Sequence, residues 1–308
     1  MKNNYLTEMH LKDLIEKKIN NDTANDSPEA SVVIVTYNNI ELLINNLKSL
    51  KKQTVSDFEI LIIDNNEKID IFPLIKIYPI NYIKLKKNYG LSLARNIGIK
   101  YAKGDIVIFL DDDAIPAEDF VEQHIKAHKN KDIIGLRGKA IPINNKSIYN
   151  YFSYHYNYGD KPIPCYINLE GNSSFKKEEL INIGGFNPKL EGAGGYEGLE
   201  LTYRIISKYK DKNKLIYYPN AIIYHDYSLN FFKYIKKMIR HNNHKDVVEN
   251  QFADILKMTE GYKLNAEILK RESPSLLFRV KMIMIQKIVL SILRIQKLLN
   301  ILRHSHKG

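Results

Sequence analysis

Short runs built almost wholly of β-branched and other apolar residues, at 31–36, 58–63 and 104–110, constrain this chain more than any other feature. A strand that is apolar along its length has no face to offer water, so it must be covered on both sides. Between these runs, residues 40–50 and 91–102 carry apolar side chains at helical spacing, and 82–85 reads as a further strand. Strands alternating with helices predict an α/β domain with a mostly parallel sheet and helices on both faces. In such sheets ligands bind beyond the carboxyl ends of the strands. Thr36 and Asn38, Asp64, and the consecutive Asp111, Asp112 and Asp113 all fall at those ends. The polar residues gather on the one edge of the sheet where a binding crevice forms.

Three adjacent carboxylates repel one another unless a positive charge compensates. A turn or cap accounts for one aspartate and leaves two unexplained. A hard divalent cation accounts for all three, since Mg2+ or Mn2+ is held by one or two carboxylates, with substrate phosphates and waters completing its shell. The triplet therefore reads as a place where a cation meets a phosphate-bearing ligand.

Composition narrows the partners. The net charge of +11 suits a polyanionic small substrate, an anionic membrane surface or a nucleic acid. No helix-turn-helix, RNP or zinc pattern accompanies that charge, so no nucleic-acid partner is expected. Cys165 is the sole cysteine, which excludes an intramolecular disulfide and suits a reducing compartment. Residues 1–20 lack the apolar stretch of a secretory signal, and no segment is long and uncharged enough to span a bilayer. A cytoplasmic protein is expected, at the inner face of the cell membrane if its basic C-terminal part touches lipid.

The segments NYGLSLARNIG (88–98) and AKGDIVIFLDDDAIP (102–116) resemble the signature of glycosyltransferase family two. They are preceded by SVVIVTYNN (31–39), similar to that family's opening strand and loop, and followed by IGGFN (183–187), similar to its approach to the catalytic acid. The resemblance covers about residues 30–226, with the motifs in order. It implies a GT-A fold, a Rossmann-like sheet, and a hexosyltransferase-type reaction that moves a sugar from a nucleotide-diphosphate donor, UDP-sugar first, with inversion. Carried over by position, Thr36, Tyr37 and Asn38 form the floor under the nucleotide base, and Asp64 bonds its edge. Asn88, Gly90 and Arg95 lie against the nucleotide. Asp111 faces the ribose and Asp113 binds Mn2+ or Mg2+, as the outer members of an Asp-x-Asp element that Asp112 completes. Asp111 and His225 join Asp113 as metal ligands.

One departure concerns the general base that takes the acceptor's proton. Family members place a Glu-Asp pair in a Gly-rich loop opening a helix; here GGYEGLEL (194–201) has Glu197 at the first position, Gly198 at the second, and Glu200 two residues on. Three readings remain open. Glu197 is the base, with Glu200 as a second candidate; or the acceptor is acidic enough, as a thiol is, to weaken the need for one; or the chain is a sugar-nucleotide-binding protein without transferase activity.

The expected organisation is an N-terminal extension over 1–29, with Leu11, Leu14, Ile15 and Ile19 lining a short helix, the GT-A domain over 30–230, and a basic helical region over 231–308. Residues 199–209 read as a helix, and 215–218 and 221–224 as separate short strands. The 275–303 segment reads as one long helix that packs on its own domain or on a second copy, as in a homodimer, or makes peripheral contact with anionic lipid. The acceptor is a surface glycan, a lipid-linked glycan, or alternatively a peptide or small natural product, with the aromatic stretch 149–158 helping to form its pocket.

Overall fold

The protein is described by a computed structural model over residues 4–6, 11–20, 27–144, 147–190, 196–251, 253–262 and 275–305. Its strands are β1 (Ile15–Ile19), β2 (Ala30–Thr36), β3 (Phe58–Asp64), β4 (Ile80–Leu85), β5 (Ile106–Leu110), β6 (Ile115–Pro116), β7 (Gly135–Ile141), β8 (Ile163–Pro164), β9 (Asn172–Lys176) and β10 (Leu215–Tyr224). They form one sheet in the order β1-β4-β3-β2-β5-β9-β7-β10-β6, with β8 paired to β10. The helices are α1 (Ile40–Leu50), α2 (Phe72–Ile75), α3 (Leu91–Tyr101), α4 (Phe120–Asn130), α5 (Lys177–Ile183), α6 (Tyr196–Tyr209), α7 (Phe231–Gln251), α8 (Ala253–Glu260) and α9 (Leu276–Ser305).

The run β4-β3-β2-β5 is parallel throughout, as the apolar strands predicted. Alternate residues of each strand feed two cores. Val32, Ile34, Ile60 and Ile62 meet α1 through Leu43 and Leu47 on one face. Val33, Leu61, Ile63 and Phe109 meet α3 through Leu93, Ala94 and Ile97 on the other. Covering both faces leaves the strand ends as the only open polar edge, and all four strands of this run end on the same side.

Beyond β5 the sheet changes character. β9 runs antiparallel between β5 and β7, and β10 returns parallel to β7. Strand β9 is buried despite the polar residues Asn172, Ser173 and Ser174. The buried imidazoles of α4 make that burial affordable: His124 Nδ1 lies 2.8 Å and His128 Nε2 2.9 Å from Ser174 Oγ, and His124 Nε2 3.2 Å from Asn172 Oδ1. Asn172 Nδ2 donates to the carbonyls of Lys139 and Ala221 at 2.9 and 3.1 Å. A buried polar group bonded in this way escapes most of its desolvation penalty.

Two local expectations are corrected. The residues expected to line an N-terminal helix form instead a 3-10 turn, Leu11–Leu14, and the edge strand β1, which pairs antiparallel with β4. The segment Ile15–Ile19 alternates half-buried and exposed residues, a period of two that suits an open sheet edge better than a helix. The two short strands at 215–224 are one strand, whose register against β7 shifts between Tyr217 and Ile222, around Pro219. Among the described residues no helix is long and apolar enough to cross a membrane.

Candidate active site

Strand β5 ends in Asp111, Asp112 and Asp113, and each carboxylate has a different partner. Thr36 Oγ1 donates to Asp112 Oδ2 at 2.7 Å, and Asn39 Nδ2 reaches Asp112 Oδ1 at 3.4 Å. Burial, reinforced by the charge of Asp113, pushes the Asp112 carboxyl up to about 7. Asp111 lies 3.6 Å from Arg95 Nη2, and its N–H donates to Gly171 O at 3.2 Å. Only glycine fits at 171, because a Cβ there would sit 1.9 Å from the Asp111 carboxyl. Burial raises the Asp111 pKa, opposed by Arg95.

Asp113 Oδ1 lies 3.2 Å from His225 Nε2 at the end of β10, and Tyr156 Oη is 2.7 Å from the other ring nitrogen of that histidine. The tyrosine thereby fixes which imidazole nitrogen faces the carboxylate. Burial works against ionisation of Asp113, but the hydrogen bond and charge of His225 outweigh it and hold the carboxyl below its usual range. The imidazole responds in kind: burial alone would lower its pKa, and Asp113 raises it overall.

Two cations face this cluster. Arg95, on α3, is almost wholly buried and stands between Asp111 and Glu197, with Nη1 3.7 Å from Glu197 Oε1. Lys237, on α7, lies over the Tyr227 ring at 3.7 Å and donates to Tyr227 O at 3.2 Å. Burial, with repulsion from Arg240, pushes its ammonium down to about 8, while Asp111 and Asp113 pull the other way. Lys237 was not legible in the sequence, because it takes the fold to return α7 to the end of β5.

At the ends of β2 and β3 lies a lattice of asparagines. Asn66 Nδ2 donates to Tyr37 O and Asn38 Oδ1 at 2.6 and 3.0 Å. Asn65 Nδ2 donates to Asn88 Oδ1 at 2.9 Å, and Asn88 Oδ1 also accepts the Gly90 N–H at 2.9 Å. Gly90 has φ +82° at the head of α3, a conformation that favours glycine. Tyr37 is exposed at the mouth of this lattice. Asp64 is fully buried, with Oδ2 accepting from Tyr82 Oη at 2.5 Å and paired to Lys84 at 3.5 Å, and Oδ1 accepting the Asn66 N–H at 2.9 Å. Asp64, which the family resemblance implies at the base edge, is bonded here to Tyr82 and Lys84 of β4.

At the start of α6, Glu197 meets Arg95. Glu200 does not join it: Arg204 grips its carboxylate at 2.8 and 2.7 Å and donates onward to the Ile183 and Gly185 carbonyls. The expected Gly194 and Gly195 lie outside the described residues. Beside the first turn of α6 stands a residue the sequence did not single out, Glu170, whose Oε1 accepts the Gly198 N–H at 2.9 Å.

Among the described residues no group of three or more His, Cys, Asp or Glu side chains is arranged to hold an ion by itself. The Asp113–His225 pair, with Asp111 beside it, still fits a cation of the Mg2+ or Mn2+ kind, which takes one or two protein ligands and completes its shell with phosphate and water.

The description of glycosyl transferase family 2 matches residues 31–239. Over 121 residues the chain is 36% identical to the uncharacterized glycosyltransferase YfnE of Bacillus subtilis, covering 37% of this chain and 31% of that one. Over 125 residues it is 36% identical to the poly(ribitol-phosphate) beta-N-acetylglucosaminyltransferase TarP of Staphylococcus aureus, covering 36% and 38%. The structure of GalNAc-T7 with UDP, GalNAc and Mn2+ resembles it at TM-score 0.53 and 20% identity, over 70% of this chain and 48% of the other. The matched part thus spans about a third of each of these two curated relatives.

Proposed function

Because the chain belongs to glycosyl transferase family 2 and adopts its GT-A fold, we propose that it transfers a sugar, with inversion, from a nucleoside-diphosphate donor to an acceptor in bacterial surface-glycan synthesis. A UDP-sugar is the first donor to test, in keeping with the UDP bound by GalNAc-T7. TarP, named for a poly(ribitol-phosphate) acceptor, supports the surface-glycan reading. The observation that carries the proposal is the meeting of Asp111, Asp113, His225 and Lys237 at the carboxyl end of β5.

In this reading the uracil lies on Tyr37, over the loop that Asn38 and Asn66 hold, and the ribose lies toward Asp111. Thr36 and Asn39 fix Asp112, so the backbone of the acidic turn keeps its shape when ligand arrives. Asp113 and His225, with Asp111, would hold Mn2+ or Mg2+, which supplies Lewis-acid stabilisation of the diphosphate. Lys237 lies on the same side and adds a positive charge where the leaving group gains negative charge. A half-buried ammonium acts there at lower dielectric than in water, so its effect is larger than that of a surface lysine. Glu197, beside the position where the family places its base, is the first candidate from α6 for the proton acceptor, and Glu200, occupied by Arg204, is proposed as a brace for the turn at 183–185.

Helix α9 favours an interfacial setting for the acceptor. Leu277, Ile283, Met284 and Leu290 are exposed on it, interspersed with Arg279, Lys281, Lys287 and Arg294. An exposed apolar face with basic residues suits anionic lipid, where a lipid-linked acceptor resides.

The test is donor consumption by the full chain across a panel of nucleotide sugars, with added Mn2+ or with chelator. Turnover of one sugar nucleotide, lost in chelator, is expected. Donor binding without turnover would favour the non-catalytic reading, and turnover that persists in chelator would remove the cation from it.

A further inference from the structure

Gly198 stands where the family pattern calls for a carboxylate, and the space a side chain would need there is taken. A Cβ on Gly198 would lie 2.3 Å from Glu170 Oε1 and 2.6 Å from the Ile167 carbonyl oxygen. The carboxyl that fills that space is thus still a carboxyl, delivered from the loop before β9 instead of from α6. Its backbone is tied to the site as well, since the next residue, Gly171, accepts the Asp111 N–H and is in contact with the Asp111 carboxyl.

We propose that Glu170 performs the task of the side chain that position 198 lacks, accepting the proton of the sugar acceptor's hydroxyl. The step balances simply. The acceptor oxygen bonds to the anomeric carbon, its proton passes to Glu170 Oε2, and the electron pair of the broken carbon–oxygen bond leaves with the nucleoside diphosphate. This rests on the transferase reading above and replaces Glu197 in one role only. Glu197 has its charge matched by Arg95 at 3.7 Å, and the same guanidinium serves Asp111. Glu170 accepts the neutral N–H of Gly198 at 2.9 Å.

The groups that face Glu170 are Glu197 from α6 and Arg95 from α3. Burial first, and then the charge of Glu197, push the Glu170 carboxyl up to about 7, offset in part by Arg95. A base whose pKa lies near the working pH is ionised often enough to act and basic enough to pull. The rival role is a structural one: a buried carboxylate that caps the first turn of α6 through the Gly198 N–H.

Glu170→Gln separates the two roles, because its amide oxygen still accepts the Gly198 N–H but takes no proton. With the full chain and the donor it consumes, Glu170→Gln is expected to lower kcat by about 10²–10⁴-fold, while UDP affinity by calorimetry and the melting temperature stay near the wild type. The wild-type rate should rise with pH through about 7 as Glu170 ionises, and that rise should vanish in the variant. A Glu170→Gln rate within about threefold of wild type, or a loss that comes with an equal loss of UDP affinity or of melting temperature, overturns the assignment and leaves the transferase reading in place. A wild type that consumes no sugar nucleotide overturns both. Glu170→Asp, which keeps the carboxyl but shortens it, is expected to retain the pH-dependent limb at reduced rate.

Discussion

The two halves of the sheet were built by different rules. From β4 to β5 the strands are parallel and apolar, and their helices cover both faces. From β9 to β10 the directions are mixed, with β9 antiparallel to both neighbours and β10 parallel to β7, and β9 hides polar residues behind two histidines. In the proposed reading, the first half presents a fixed edge on which loops hold a nucleotide. The second brings to that edge the residues that decide what happens next: Glu170, Glu197, His225 and, from α7, Lys237. In that reading one half binds and the other reacts, and the cluster at the end of β5 is the seam.

That contrast can be broken at four places. The largest effect is expected at the seam itself, where Asp113→Ala should lower turnover by about 10²–10³-fold or more with the melting temperature little changed. A parent-like rate in that variant would separate the acidic turn from the chemistry. Next, Lys237→Met should lower kcat by about 10–10²-fold and weaken UDP more than uridine, as isothermal titration would register. Equal weakening of both would place Lys237 away from the diphosphate.

A smaller effect, on stability alone, is expected from His124→Leu, which leaves the Ser174 hydroxyl and the Asn172 carbonyl with fewer partners and should lower unfolding free energy by about 2 kcal/mol. Burial pushes both His124 and His128 down to about 3 in the folded chain. Protons therefore bind the unfolded chain more readily, so stability is complete above about pH 6.5 and falls as pH drops from there toward 3. His124→Leu should flatten that fall in an acid denaturation series. The smallest effect in solution is expected from Ile283→Glu with Leu290→Glu on α9, with turnover of a soluble acceptor unchanged and flotation with anionic vesicles lost. Equal flotation of both proteins would detach α9 from lipid.

Legibility followed the same division. β2, β3, β5 and α1 were readable because a buried parallel strand must be apolar on both faces, and α1 begins and ends where its spacing does. The Asp111–Asp113 turn was readable because nothing in a fold's own needs asks for three carboxylates together. β9 was not, since Asn-Ser-Ser looks like a loop until His124 and His128 supply its partners from a helix about fifty residues earlier in the chain. Glu170 was missed for a related reason. Its meaning depends on a glycine that follows 28 residues later, and no local pattern joins the two. Asp64 was legible as a polar residue at a strand end, but its bonds to Tyr82 and Lys84 were not, since only strand pairing brings the adjoining strand beside it.

Arg95 has one guanidinium and two ion-pair partners, Asp111 at the end of β5 and Glu197 on α6. Whatever alters the electrical demand of one carboxylate changes how much of that cation remains for the other. If donor and acceptor meet Asp111 and Glu197 as proposed, thermodynamic reciprocity makes the two substrates influence each other's affinity equally, with no hinge or lid required. Cooperativity of that sort would be inherited by every specificity this scaffold acquires, for as long as position 95 stays positive.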